Sequence, residues 1–130
     1  MARGKDRHEA QVSALNALGT ALNRRSKSKC ELCQERSSLQ VVAVPPLPDT
    51  PSIDAAIFCC AACLPLTEPQ ARLPDSNELR FLESAAWSEI RPVQMAAVRA
   101  LRRLAPTTEW ASNTLENLYL DPDIEADLDS

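Results

Sequence analysis

The sequence predicts a small α+β fold: an N-terminal helix, a cysteine knuckle of the ribbon or treble-clef kind with a short β-hairpin, and a C-terminal bundle of about three helices. Three observations predict it. Two Cys-x-x-Cys pairs, Cys30/Cys33 and Cys60/Cys63, sit beside strand-like runs. Apolar residues recur at helical spacing before the first pair and after Pro74. Ten prolines against two glycines leave proline to punctuate the chain. A length of 130 residues suits one compact domain, or a knuckle unit with a helical partner.

The reading divides the chain into a basic helix over 1–28, a knuckle module over 29–73, a helical segment over 74–120 and an acidic tail over 121–130. The first helix is expected from His8 to Arg25, with Val12, Leu15, Leu18 or Gly19, and Leu22 on one face and alanines favouring the conformation. Arg24, Arg25, Lys27 and Lys29 follow at its C-terminal end, where positive charge complements the helix dipole. After Cys30-Glu31-Leu32-Cys33, the run Leu39 to Val44 reads as a strand. Pro45, Pro46, Pro48 and Pro51 then impose an extended loop, and Ile53 to Phe58 is a second strand candidate.

Beyond Pro74 the period changes. Asp75 with Glu78 three residues on has the form of a capping box, opening a helix through Leu79, Leu82, Ala86 and Ile90. Pro92 belongs in the first turn of another helix, with Val93, Ala97, Val98, Leu101 and Leu104 facing inward and Pro106 ending it. Thr107 or Thr108 caps a third helix carrying Trp110, Leu115 and Leu118. From Asp121 the tail is expected to fray, with Ile124 and Leu128 able to add one amphipathic turn.

The cysteines carry the chemistry. Two thiolates in a Cys-x-x-Cys turn grip one cation, and a second pair completes a tetrahedral sulfur shell, the donor set that suits Zn²⁺. The pairs are separated by 26 residues, which favours a shared metal over two redox pairs. With every position filled by protein, one zinc would be structural, leaving no catalytic residue to assign. Cys59 could replace Cys60 at a wider spacing, but Cys60 keeps the tighter pair, so Cys59 is read as a packed thiol.

The first nine residues are charged and no apolar leader follows, and the longest apolar run, Ala55 to Leu66, is too short to span a bilayer. A cytoplasmic protein with no membrane partner is the expectation, and reduced thiols there favour metal over disulfide. The net charge of −4 hides a polarity: Met1 to Arg36 has eight Lys/Arg and four Asp/Glu, whereas Thr107 to Ser130 has seven acids and no Lys or Arg. Arg24, Arg25, Lys27, Lys29 and Arg36 are therefore candidate contacts for an anionic partner such as nucleic acid. The acidic pI and the lack of interleaved aromatics weigh against it, and a solvated face is the bland alternative.

Several separated blocks resemble the PhnA-like proteins, the bacterial alkylphosphonate-utilisation operon family. They are His8-Glu9-Ala10 with Leu15 to Leu18, Arg24 to Cys33, Val44-Pro45-Pro46, the second cysteine pair, Trp87 to Ile90 with Pro92-Val93-Gln94, Ala97 to Leu104, and Leu118 to Pro122. The resemblance spans about residues 8–122 and implies a zinc ribbon. Longer relatives continue into a small β-barrel, and no part of residues 1–130 is expected to form one. The family name also suggests an enzyme of phosphonate metabolism cleaving a C–P bond. Its candidate groups would be Cys59 as nucleophile, His8 as base, and Glu89 or Arg91 near Trp87. A hydrolase of that kind needs His and Asp ligands around an open metal, and His8 is the one histidine. The cysteine layout is also similar to the scaffold of HNH nucleases, but Val41 to Pro45 lacks their histidines.

The reading favoured by these residues is a non-enzymatic zinc-binding or regulatory module that presents a surface to a protein or nucleic-acid partner. Self-association is a further alternative, with Arg99, Arg102 and Arg103 meeting the acidic tail of another copy, but a solvated helix face is the favoured reading of those arginines.

Overall fold

The computed structural model describes residues 17–129. It is a small α+β protein in which a two-stranded hairpin lies between an N-terminal helix and a C-terminal set of helices. The part of the first helix expected at residues 8–16 lies outside the described residues.

Helix α1 covers residues 17–26 and buries Leu22 completely. No glycine stands at its end, so Lys27 and Ser28 take left-handed backbone with φ of 59° and 62°. The Ser28 N–H then reaches back to the Asn23 carbonyl at 3.0 Å, closing the helix in a Schellman-type turn. This reversal aims the chain into Cys30.

Strands β1 (Gln40–Ala43) and β2 (Ala56–Cys59) pair antiparallel, with Val41 opposite Phe58 and Val42 opposite Ile57. Alternation puts Ile57 and Cys59 on one face, in the same apolar cluster as the C-terminal helices. Val41 lies on the other face, 3.8 Å from where a Cβ on Gly19 of α1 would sit. The second strand begins later than the sequence suggests, because Ile53–Ala55 form a 3₁₀ turn. The Ser52 hydroxyl accepts the Asp54 N–H at 3.1 Å, a local bond that competes with extended pairing.

Helix α2 (Leu64–Thr67) starts directly from Cys63, which occupies its N-cap position. A knuckle, a hairpin and a second cysteine pair leading into a helix form a treble-clef arrangement, which decides between the two alternatives that the spacing leaves open.

The helix expected from Asp75 to Ile90 is not continuous. Ser76–Leu79 form a 3₁₀ turn, α3 covers only Leu82–Ala85, and Ile90 is extended. Asp75 caps the segment as expected, accepting the Asn77 N–H at 2.9 Å, and near the other end the Ser88 hydroxyl accepts the Ile90 N–H at 3.1 Å. The Ser88 bond takes a backbone donor that a continuous helix would direct to a carbonyl one turn back.

Helix α4 (Arg91–Leu104) is the central beam, with ten of its fourteen residues buried. Val93, Ala97, Val98, Leu101 and Leu104 face the core as their spacing predicts. Gln94 is also buried, and its Nε2 donates to the Ala86 carbonyl at 2.8 Å, satisfying an orphan acceptor at the end of α3.

Helix α5 (Glu109–Asn117) follows, with Thr108 at the N-cap position but making no side-chain capping bond. The acidic tail, expected to fray, forms α6 (Pro122–Leu128) with Leu128 buried and Ile124 packed against the core. Acids at a helix C-terminus oppose the dipole, and α4 offsets them. Arg91 pairs with Asp127, Arg102 pairs with Asp129 at 3.2 Å, and Arg99 donates to the Asp127 carbonyl at 3.2 Å. Of the three arginines considered for the tail of another copy, Arg99 and Arg102 meet the tail of their own chain, whereas Arg103 donates to the carbonyls of Pro65 and Ala71.

Candidate metal centre

The two Cys-x-x-Cys turns converge. The sulfurs of Cys30, Cys33, Cys60 and Cys63 all lie within 4.8 Å of one another, and Cys33 and Cys60 approach to 3.5 Å. Four thiolates at tetrahedral corners around zinc would stand about 3.8 Å apart, given a metal–sulfur bond of about 2.3 Å. The observed spacing brackets that value, so a metal ion fits with shifts of tenths of an ångström. Cys30, Cys60 and Cys63 are buried, Cys33 is half-buried, and Leu32 covers the first turn.

Each turn is shaped by its backbone. The Gln34 N–H returns to the Cys30 carbonyl at 3.0 Å, with Gln34 left-handed at φ 74°, and the Cys30 N–H donates to the Glu35 carbonyl at 2.7 Å. The Leu32 N–H points at the Cys30 sulfur at 3.4 Å, as a backbone donor to a metal thiolate should. In the second turn, the Cys63 and Leu64 N–H groups both bond the Cys60 carbonyl, at 3.1 and 3.2 Å.

The electrostatics of the bare cluster point the same way. The Cys59 and Cys63 thiols, directed at the Cys30 sulfur, hold Cys30 far below the ordinary thiol range. Cys63 is driven up, chiefly by donating to Cys30. Burial pushes Cys33 up to about 11. The cluster alone therefore favours the Cys30 thiolate and resists ionisation of Cys33 and Cys63. A divalent cation is the group that lets all four ionise together.

Cys59 stays outside the set. It is fully buried on the core face of β2, and its thiol donates to the Cys60 carbonyl at 3.4 Å. Its own pKa is raised, first by donation toward Cys30.

The cations flanking the first turn separate in use. Arg24, Lys27 and Arg36 are exposed and Lys29 is half-buried. Arg25 turns inward: its guanidinium makes two 2.8 Å bonds to the Glu31 carboxylate and also donates to the carbonyls of Ile53 at 2.7 Å and Ala56 at 2.9 Å. Glu31 is buried, and its carboxylate also accepts the Phe58 N–H at 2.9 Å. This pair ties α1, the first knuckle and β2 together, and sequence reading assigned Glu31 no role. The available signal was an acid between two ligand cysteines, where a charge must find a partner once the turn is buried.

Of the groups considered for an enzyme, His8 lies outside the described residues and Cys59 is sealed in the core. Trp87, Glu89 and Arg91 do meet, lining a cleft at the opposite end of α4 from Leu104. Among the described residues, no helix is long and apolar enough to cross a membrane.

Fold and site together define a small α+β protein with a four-cysteine cluster able to hold a metal ion. No family model, curated protein or solved structure matches the chain.

Proposed function

We propose that this chain is a non-enzymatic binding module, its middle third stapled by one structural zinc ion on Cys30, Cys33, Cys60 and Cys63. The observation that carries the reading is the convergence of four sulfurs from two rigid turns. Four protein thiolates complete a tetrahedral zinc shell, and such a site serves folding rather than chemistry. The donor set is soft and all-sulfur, which favours zinc over oxygen-seeking divalent ions. Reduced thiols in this number also suit a cytoplasmic setting.

The sequence blocks that resemble PhnA-like proteins support the same reading, since that resemblance implies a zinc ribbon, and we propose membership on those blocks. A protein is the favoured partner class. Nucleic acid would draw on Arg24, Lys27 and Arg36, but Arg25 is committed to Glu31.

Elemental analysis of the purified chain with a cysteine series tests the metal. The expected result is one zinc per chain, lost on substitution of Cys30, Cys33, Cys60 or Cys63 by serine and retained in Cys59→Ser. Retained zinc in Cys60→Ser with loss in Cys59→Ser would reassign the ligand. No bound zinc in the native chain would end the proposal.

A further inference from the structure

At the far end of α4 from Leu104 lies a cleft of about 790 Å³, lined by Trp87, Glu89, Arg91, Tyr119, Asp121 and Asp123 among others. Three large apolar side chains are exposed among the described residues, and two of them are here: Trp87 at 53% and Tyr119 at 78%. Two exposed aromatics lining one cleft form a patch of the kind that marks an interaction site. Both rings are carried on turns that the core holds in place. Trp87 follows α3, with its N–H on the Ser84 carbonyl at 3.0 Å, and Tyr119 lies between Leu118 and Leu120, both packed on the core.

The unpaired charge lining the cleft is negative. Arg91 is already bound to Asp127, whereas Glu89, Asp121 and Asp123 are exposed and in no ion pair among the described residues. Aromatic faces beside free carboxylates suit a guanidinium or ammonium group, which gains from the ring quadrupole and the negative charge together. The chain uses this chemistry internally a short way off, where the Arg80 guanidinium lies 5.0 Å from the Trp110 ring centre. Polyanions and anionic membrane surfaces would be repelled by the same carboxylates.

From the convergence of two exposed aromatics and three unpaired carboxylates in one cleft, we infer that this is the partner-binding surface and that it takes an arginine- or lysine-bearing segment of another protein. This rests on the binding-module reading and names its partner class. The surface is separate from the cysteine cluster, so the two stand or fall on different measurements.

The test is a fluorescence-anisotropy titration of the zinc-loaded full chain against a short dye-labelled peptide of arginines spaced by glycine and serine, with a glutamate version as control. The arginine peptide should bind and the glutamate peptide should not. Trp87→Ala and Tyr119→Ala should each weaken binding by about fivefold or more without loss of zinc, and Tyr119→Phe should keep most of it. Asp121→Asn with Asp123→Asn should weaken it, whereas the charge-matched Glu68→Gln with Glu116→Gln should not. No binding, equal binding by Tyr119→Ala, or equal weakening by the charge-matched pair would overturn the assignment. So would a dimer of the free chain that Tyr119→Ala dissociates, since the occupant would then be a second copy. Failed peptide binding with zinc intact removes this surface alone. Missing zinc removes the binding-module reading itself.

Discussion

The knuckle region and the α4 region of this molecule are held together by different physics. Around α4 the stabilisation is apolar and redundant: Val98, Leu101, Leu82 and several alanines are fully buried against one another. Around the knuckle it is polar and directional. A hairpin of two four-residue strands, a one-turn helix and two cysteine turns share a few apolar contacts such as Ile57 and Leu66 with the core and otherwise draw on the sulfur cluster and the Arg25–Glu31 pair. Short elements bury too little surface to persist unaided, so each knuckle interaction is individually important. On the zinc reading, the α4 region should lose one contact and keep its fold, whereas the knuckle region should lose its organisation with the metal.

Metal removal should expose this contrast most sharply. Treating the chain with a strong zinc chelator should strip amide-exchange protection from residues 30–63, while α4 amides keep theirs. Apparent binding energies of structural zinc run to roughly 10 kcal/mol, enough to determine whether such a knuckle folds. Equal loss of protection in both regions would show that they unfold as one cooperative unit.

Next in size is Leu101→Ala, which leaves a cavity under α4 and should cost about 3–4 kcal/mol in denaturant unfolding. Zinc content should stay unchanged, because Leu101 belongs to the apolar half. Glu31→Gln should cost somewhat less, about 2–3 kcal/mol, by leaving the mostly buried Arg25 guanidinium without its charge partner. Unlike the Leu101 change, it should also speed zinc loss to a chelator, since Glu31 braces the first turn against β2. Matching zinc-release rates in the two variants would erase the distinction drawn here.

The smallest effect should come from Gln34→Gly. Gln34 closes the first turn in left-handed backbone, a conformation that costs a side-chain-bearing residue about 1–2 kcal/mol, part of which glycine returns as chain entropy. A net gain of about 0.5–1 kcal/mol in thermal or denaturant unfolding is expected. Destabilisation instead would mean that the Gln34 side chain supports the turn.

Legibility followed the same division. Cysteine spacing and helical periodicity are local patterns, so the knuckles, the hairpin and α4 could be read directly. The Asp75–Ile90 segment misled because capping-box chemistry is also 3₁₀-turn chemistry, and only bonds such as Ser88 to Ile90 distinguish them. The tail misled because acidic composition reads as solvated, whereas α6 is fastened by Arg91, Arg99 and Arg102 from another helix. Arg25 looked like a surface cation for the same reason: its acceptors include Ile53 and Ala56, 28 and 31 residues away.

By itself the sequence determined the four cysteines, the proline-bounded loop and the inward face of α4, because each follows from side-chain type and short-range spacing. The tertiary structure alone decided the treble-clef turn at Cys63, the internal use of Arg25, the docking of α6 and the meeting of Trp87 with Tyr119. Those depend on which distant backbone groups and charges become neighbours, and no local pattern along the chain encodes a neighbour tens of residues away.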